Sequence, residues 1–526
     1  MSRRGLIAGY AALVVVFLIT TLEREPYDDA YFFKRFALNA LEHGSLSWNA
    51  SDGPVYGITS QLFLAVNVAL TALGGDHTLL VTRLALALCL IGAFALVLSA
   101  GRDRGLATAL AFCSPIALFT ITSGMETALC LLLLGLGLWL LHSPHAGRKT
   151  WLLAPLVTVA VWLTRPDALP LVLLPLLAAR RRWRDAAVVA GGIVFCLVVF
   201  KLYYGTALPL PFYAKQRLLS SYDAGFIATS AASHHLHASL FAVTALPLAA
   251  MALLRRDREN AALLGAVLLF VLYHALTTID VMGTHARFYA PALPLLALAA
   301  ARAAELPHPK NMRLAVGLSC AVVIGALAVA GRLPGYGSSE DRSERVPLPH
   351  YATSGLGSVL LFAGAGGFAA PLLFAFDALP LAASHGLSLP APPSDDDYLL
   401  EHQRHVTVFR GLETLRGCFG DGAGIYHSEV GVPGLRLPRG RVVDLAGLLD
   451  RRLAFRDQSF DALCERDSPA AIFLPHKNYV ELNDTVTRAR CLQGYARVVT
   501  DSSSPLYVRR DLLSRYERCA AEPTRP

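Results

Sequence analysis

The chain has 526 residues, 54% of them hydrophobic and only 16% charged, with a mean hydropathy of +0.46. Soluble domains carry about a quarter charged residues, so these totals exclude an ordinary soluble protein and indicate an integral membrane protein. The formal net charge of +8 does not argue for a nucleic-acid partner, because the basic residues sit in short turns between apolar runs.

The first apolar run, LIAGYAALVVVFLITTL, follows MSRRG. It has the look of a signal peptide, but no small-residue cleavage site follows and more apolar runs do, so it reads as a retained helix. Next comes EREPYDDAYFFKRFALNALEHG, residues 23–44. Pro26 cannot continue a helix from behind and Asp28 is a favoured cap residue, so the pattern predicts a helix that starts at 28 or 29 and stops near Gly44. Phe33, Phe36, Ala37, Ala40 and Leu41 form one apolar stripe, while Arg35, Asn39 and Glu42 share another face. Such a helix is expected to lie flat on the membrane with Asp28 and Asp29 at its amino end. The helix dipole favours ionisation of those acids and each carboxylate opposes the other's charge. A carboxylate tuned upward suits a general base for a sugar hydroxyl; the plain alternative is a helix cap and a dipole partner. The piece 58–73, ITSQLFLAVNVALTAL, disturbs the alternation of sides if it crosses, and reads as a helix along the outer membrane surface.

Blocks of roughly 16 to 22 apolar residues, enough for a hydrocarbon core about 30 Å thick, predict about eleven spans. They fall at 5–22, 79–100, 105–121, 125–142, 150–164, 167–180, 185–203, 238–254, 260–278, 288–304 and 313–331. Arg3/Arg4, Arg102/Arg104, Arg148/Lys149, Arg180/Arg181/Arg182/Arg184 and Arg255/Arg256/Arg258 then mark cytoplasmic turns. Alternation places 23–78, 121–125, 164–167, 204–237 and 279–287 outside. These boundaries define a transmembrane bundle over 1–331 with the outer juxtamembrane loop 23–78. Residues 332–394 form an insertion with an ambiguous apolar segment, 355–383.

From about 395 the tail reads as a small soluble α/β domain, 395–526, on the periplasmic side. GAGIYHS, RVVDLAG, AAIFLP, ARVVTD and PLYVRR are β-rich and alternate with helix-compatible stretches. Cys418, Cys464, Cys491 and Cys519 lie here; four cysteines allow three pairings, and bridges require an oxidising compartment. No cysteine or histidine spacing indicates zinc. The expected fold class is thus a polytopic α-helical membrane protein with a C-terminal soluble α/β domain.

The outward loops carry further ionisable groups. SGMETA puts Glu126 at a span mouth, TRPDALP puts Arg165 and Asp167 at another, and YYGTALPLPFYAK brings Tyr203, Tyr204, Tyr213 and Lys215. GTHARFYAPALP adds His285, Arg287 and Tyr289. Each alone has an ordinary role as interfacial anchor, helix cap or aromatic belt. Together, converging on one cavity, they offer acids for a base, cations for a phosphate leaving group and aromatics for sugar stacking.

The stretch PYDDAYFFKRFALNALEHGSLSWNASDGPVYGITSQLF resembles the first outer loop of membrane glycosyltransferases of the GT-C fold, with an acidic pair opening a juxtamembrane helix. Within that fold it looks most like the branch containing the mycobacterial terminal arabinofuranosyltransferase. SGMETALCLLLLGLGLWLL, RPDALPLVLLPLL, YYGTALPLPFYAK, RFYAPALPLLAL and GIYHSEVGVPGLRLPRGRVVDLAGLLD continue the similarity in the same order. Ile58 and Gln61 depart from that branch, as does the missing Asn in YYGTALPLPFYAK.

The resemblance implies transfer of one sugar, arabinofuranose in that branch, from a polyprenyl-phosphate donor to an acceptor hydroxyl on the outer face of the cytoplasmic membrane. Mannose, galacturonate and aminoarabinose are the alternative sugars, and a glycan, a glycolipid or a protein the alternative acceptors. Asp28 would deprotonate the acceptor, and Asp29 would orient it, hold a metal or stand in as base. Lys215, His285 and Arg287 would receive the departing lipid phosphate; Glu126, Arg165, Asp167 and Tyr204 would shape the substrate pocket. Glu429 and Asp444, in the matching tail motif, would cap the site or form salt bridges within the tail. A divalent cation can sit at such an acidic pair, and the resemblance does not require one. A lipid-linked sugar flippase is the competing class, but such proteins carry ionisable residues at mid-span and here the span centres are nearly free of charge. A receptor anchored by its bundle would need one span only.

Overall fold

The computed structural model of the protein describes residues 2–22, 26–101, 105–142, 153–180, 183–218, 241, 244–277, 284–303, 407–475, 479–499, 502 and 504–521. The expected span 313–331 and the insertion 332–394 lie outside the described residues.

In chain order the helices are α1 (Arg3–Thr20), α2 (Asp28–His43), α3 (Gln61–Gly74), α4 (Thr78–Ala100), α5 (Leu106–Phe112), α6 (Pro115–Leu118), α7 (Thr127–His142), α8 (Leu153–Thr164), α9 (Leu169–Arg180), α10 (Trp183–Tyr204), α11 (Leu210–Leu218), α12 (Arg258–Thr277) and α13 (Leu293–Ala303). The tail adds α14 (Leu412–Phe419), α15 (Gly431–Arg436), α16 (Arg451–Phe455), α17 (Phe460–Asp467), α18 (Val480–Thr487) and α19 (Arg510–Ala521). Its strands are β1 (Ile425–His427), β2 (Val442–Asp444), β3 (Ala471–Phe473), β4 (Tyr495–Val499) and β5 (Leu506–Arg509).

Among the described residues, four stretches are helical, long and apolar enough to cross a membrane: Arg3–Thr20, Gln61–Ala100, Trp183–Tyr204 and Arg258–Leu276. Thr127–His142, Leu153–Thr164 and Pro166–Ala179 are shorter apolar helices. The expected span 105–121 is broken into α5 and α6. Pro115 explains the break: it has no N–H to continue the ladder, and its ring disfavours helical backbone at Ser114. On α10, Val188, Val194, Phe195, Val198 and Leu202 are exposed, as expected for side chains that face lipid rather than water.

The chain divides into two compact units. The first comprises 1–24, 82–194 and 228–392. Its core is aromatic where α1, α4 and α5 meet: the Tyr10 ring stacks on Phe94 at 4.2 Å and meets Phe112 edge-on at 6.3 Å. The Tyr10 hydroxyl donates to the Phe112 carbonyl at 3.1 Å, which satisfies a buried polar group in an apolar setting. Helix α13 is buried along its whole length apart from Arg302, in keeping with a helix that is apolar all round.

The second unit comprises 25–81, 195–227 and 393–526, so the first outer loop folds together with the tail. Each of the five β-rich pieces contains a strand, in the order β2-β1-β3-β5-β4. β1 runs parallel to β2 and β3, whereas β5 is antiparallel to β3 and β4. Tyr426, Val443 and Ile472 point into a core shared with Phe460, Leu463 and Val486. Disulfides join Cys418 to Cys519 and Cys464 to Cys491, one of the three available pairings.

Helix α2 forms where expected, with Gly44 ending it at φ 68°. That left-handed conformation costs glycine nothing. Both stripes of the helix are covered by protein. The apolar stripe is covered by α3, with Phe33 against Phe63 at 4.8 Å. The polar stripe is covered as well: Arg35 and Asn39 are buried, and α15 lies against the helix. A helix with two buried faces needs polar partners on one of them, and backbone carbonyls supply these.

Candidate active site

Asp28 is the first residue of α2 and is buried. Its carboxylate accepts the backbone N–H of Gly431 at 3.1 Å and of Val432 at 3.0 Å. These are the first two residues of α15, whose free N–H groups and dipole suit an anion. Gly431 permits the approach, since a Cβ there would lie 2.5 Å from Asp28 Oδ1. Asp28 is therefore more than a cap for its own helix; it fastens the tail motif to the first outer loop.

One turn of chain before this contact lies Glu429. Its backbone N–H donates to His427 Nδ1 at 2.9 Å, and the His427 ring is buried, stacked on Phe473 at 4.5 Å, with Nε2 3.3 Å from the Val408 carbonyl. Nδ1 as acceptor and Nε2 as donor describe a neutral imidazole. Burial, reinforced by Asp28, Asp444 and Asp29, pushes the Glu429 carboxyl well above the ordinary glutamate range. Among the described residues, neither the Glu429 nor the Asp29 carboxyl has a hydrogen-bond or ion-pair partner.

Asp444, fully buried at the end of β2, has a different job. It accepts the N–H groups of Ala446 at 2.9 Å, Leu448 at 2.6 Å and Leu449 at 3.0 Å. Burial pushes it up to about 7 against the pull of those donors. It closes the turn after β2, and among the described residues it forms no salt bridge.

In the first unit a second group assembles at the junction of α8 and α9. Arg165 forms a two-point contact with Asp167, at 2.7 Å and 3.3 Å. Glu126 Oε1 stands 3.9 Å from Arg165 Nε. His274, buried near the end of α12, has its Nε2 2.9 Å from Asp167 Oδ2, the oxygen that also takes the closer arginine contact. Phe288 ties in Arg287: the Arg287 guanidinium sits 5.2 Å from the ring centroid, Arg165 at 5.9 Å, and His274 stacks on it at 5.8 Å. Two guanidinium groups and two carboxylates gather here around one aromatic ring, so that opposite charges compensate each other where water is partly excluded.

The other expected residues are placed as follows. Tyr204, in the second unit, stacks on Tyr56 at 4.9 Å and donates to Gln61 Oε1 at 2.7 Å. Lys215 is on α11 and exposed. His285 falls in the one-turn-rich segment Thr284–Ala292, and its side chain lies outside the described residues. Asp28, Asp29, Tyr204, Lys215, Glu429 and Asp444 thus belong to the second unit, and Glu126, Arg165, Asp167 and Arg287 to the first. Among the described residues no group of three or more His, Cys, Asp or Glu is arranged to hold a metal ion.

Three buried residues were not anticipated. His274 carries no local signal, since its partner is 107 residues away. Arg83, 1% exposed, donates to the carbonyls of Leu22 at 3.0 Å, Thr122 at 3.3 Å and Thr21 at 3.4 Å. A lone arginine near the start of the run TRLALALCL was a readable signal for such a role, because an unpartnered charge there would be costly. Arg35 is the third, serving the tail carbonyls rather than solvent.

An apolar helical bundle and a unit in which residues 25–81 fold with the C-terminal sheet make up the described fold. The chain is similar to two crystal structures of ArnT from Cupriavidus metallidurans, a glycosyltransferase of the GT-C fold. The one bound to undecaprenyl phosphate is 14% identical with a TM-score of 0.55, and the one in the apo state 15% identical with a TM-score of 0.50. Each comparison covers 96% of this chain and 98% of ArnT. No family model and no curated protein matches the chain. The similarity establishes the GT-C fold and does not single out the arabinofuranosyltransferase branch.

Proposed function

We propose that this protein is a membrane glycosyltransferase that moves one sugar from a polyprenyl-phosphate donor to an acceptor hydroxyl on the outer face of the cytoplasmic membrane. The observation that carries this reading is the GT-C fold shared across 96% of the chain with a structure that holds undecaprenyl phosphate. The two disulfides of the tail agree with an oxidising, periplasm-like side for that part of the chain. One carboxylate among Asp28, Asp29 and Glu429 acts on the acceptor hydroxyl. Arg287 takes the charge that develops on the leaving phosphate, since a positive donor placed there lowers the barrier. Glu126, Arg165 and Asp167, which the first unit brings together, shape a pocket for substrate, and the acceptor is a glycan, a glycolipid or a protein. The lipid-linked donor enters from the bilayer, and no nucleotide sugar is needed at an outward site.

Arabinofuranose is the sugar of the branch that the motifs resemble, and aminoarabinose is the alternative consistent with the ArnT neighbours. Membranes containing the full chain, incubated with radiolabelled undecaprenyl-phosphoryl arabinofuranose or aminoarabinose, test the reading. Label from one donor is expected to move into endogenous envelope material, and Arg287→Gln to lower that rate about 100-fold. Movement of intact labelled lipid across the bilayer without transfer of its sugar would replace the enzyme reading with the flippase.

A further inference from the structure

The side chain best placed at the head of α2 for engagement with the tail is Asp28, and its carboxylate is already engaged. Both of its oxygens accept N–H groups from the tail, from Gly431 and Val432. Those two bonds commit Asp28 to holding the tail. The carboxyls left without a hydrogen-bond or ion-pair partner among the described residues are Asp29, next in the chain, and Glu429, two residues before the clasped Gly431. Glu429 is held there by three independent fastenings: its own N–H on the neutral His427 ring, that ring on Phe473, and Asp28 on the start of α15.

We propose that Glu429, delivered by the tail, is the carboxylate that takes the proton of the acceptor hydroxyl, and that Asp28 is a positioning residue that holds Glu429 in place. This rests on the glycosyltransferase reading and assigns the base within it. In the transfer step the acceptor oxygen bonds to the anomeric carbon of the donor sugar. The bond between that carbon and the phosphate oxygen breaks, its electron pair leaving on the polyprenyl phosphate, and the hydroxyl proton passes to the Glu429 carboxylate. The assignment gives the tail a chemical reason to fold with the first outer loop, because without it the acid loop lacks its proton acceptor. Burial of Glu429 among carboxylates also raises its basicity.

The test uses membranes holding the full chain and the two radiolabelled undecaprenyl-phosphoryl sugars, with donor titrations at pH 5 to 9. Glu429→Gln is expected to lose at least about 100-fold in maximal rate, with donor KM within about threefold and the acidic limb of the pH profile abolished. Glu429→Asp, which keeps a carboxyl, should regain a tenth or more of the wild-type rate, where "a tenth" is roughly one decade of general-base efficiency. Gly431→Ala, which crowds Asp28 without altering any charge, should lower the rate yet keep the acidic limb at its wild-type position. A Glu429→Gln protein within about threefold of wild type would overturn the assignment. So would an acidic limb that survives Glu429→Gln and disappears in Asp28→Asn or Asp29→Asn. Melting of the detergent-solubilised proteins separates structure from chemistry: equal collapse of Glu429→Gln and Glu429→Asp with a lowered Tm marks a structural residue and also overturns it. A wild-type protein that transfers neither sugar, and none from the mannosyl and galacturonosyl donors added to the same assay, rejects the glycosyltransferase reading itself, whereas active wild type with active Glu429→Gln rejects only the base.

Discussion

Arg35 lies over the Trp48 ring, 4.6 Å from its centroid, and donates Nε to the Trp48 carbonyl at 2.7 Å. The same guanidinium reaches the carbonyls of Gly434, Leu437 and Gly440 and the side chain of Asn49. One buried side chain on α2 therefore satisfies carbonyls from both the WN turn and the tail. Arg35→Met would strand those acceptors in an apolar setting, and the expected loss is about 3 to 5 kcal/mol. Arg35→Lys should recover little, because a single ammonium cannot reproduce a planar fork of donors. Thermal unfolding of the detergent-solubilised variants, with proteolysis of the tail as a second readout, checks this; a lysine variant as stable as wild type would contradict it.

Helix α2 was legible in the sequence because Pro26, Asp28 and Gly44 are local signals and the apolar stripe repeats within four residues. The five tail strands were legible for the same reason, as short β-branched and aromatic runs between turn residues. What the helix would touch was not. The partners of Asp28 are 403 and 404 residues away, and no periodicity encodes a contact of that range. The mouth acids Glu126 and Asp167 and the cation Arg165 were read individually, and the structure joins them through Arg165. His274, which contacts Asp167, carries no such signal, because a histidine inside a helix run looks like any satisfied core residue. The polar face of α2 misled in the opposite direction: Arg35 and Asn39 have the spacing of a solvated stripe, yet Arg35 finds carbonyls of the tail and Asn39 those of Ser47 and Trp48.

Glu429 makes the tail sensitive to pH in an unusual direction. Its carboxyl in the folded chain is held above the ordinary value of 4.5 by burial and by Asp28, Asp444 and Asp29. Folding thus favours the protonated form. The associated stability is complete below about 4.5 and is lost as pH rises through the elevated value. Glu429→Gln, always neutral, should unfold at a higher temperature than wild type at pH 8 and lose the difference near pH 4. Tm measured across that window decides it, and parallel curves for the two proteins would show that Glu429 contributes nothing to the pH dependence.

The two disulfides close loops of different length, 101 residues for Cys418–Cys519 and 27 for Cys464–Cys491. Loop-closure entropy makes the longer one worth about 1 kcal/mol more, within a usual range of about 2 to 5 kcal/mol per bridge. Cys519→Ser should therefore lower the unfolding temperature of the tail more than Cys491→Ser does. Peptide mapping without reductant should recover the two named pairs. Equal destabilisation, or a different pairing, would count against this account of the tail.

The Arg165 and Asp167 pair offers the clearest separation of structure from charge. Arg165 is 6% exposed and has Asp167 at 2.7 Å, while Glu126 is farther off at 3.9 Å. Asp167→Asn removes the near carboxylate from Arg165 and the acceptor from His274, leaving a cation with weak compensation in low dielectric. The expected cost is about 3 to 5 kcal/mol. Glu126→Gln, acting at longer range, should cost less. Removing both charges together, in Arg165→Met with Asp167→Leu, takes away the stranded ion along with its partner, so the double variant should unfold at a higher temperature than Asp167→Asn alone. Melting curves of the three detergent-solubilised proteins measure the ordering. If the double variant proves the least stable, the pair holds its site through specific hydrogen bonding rather than through charge compensation, and the substrate-pocket role of Arg165 gains a structural cause.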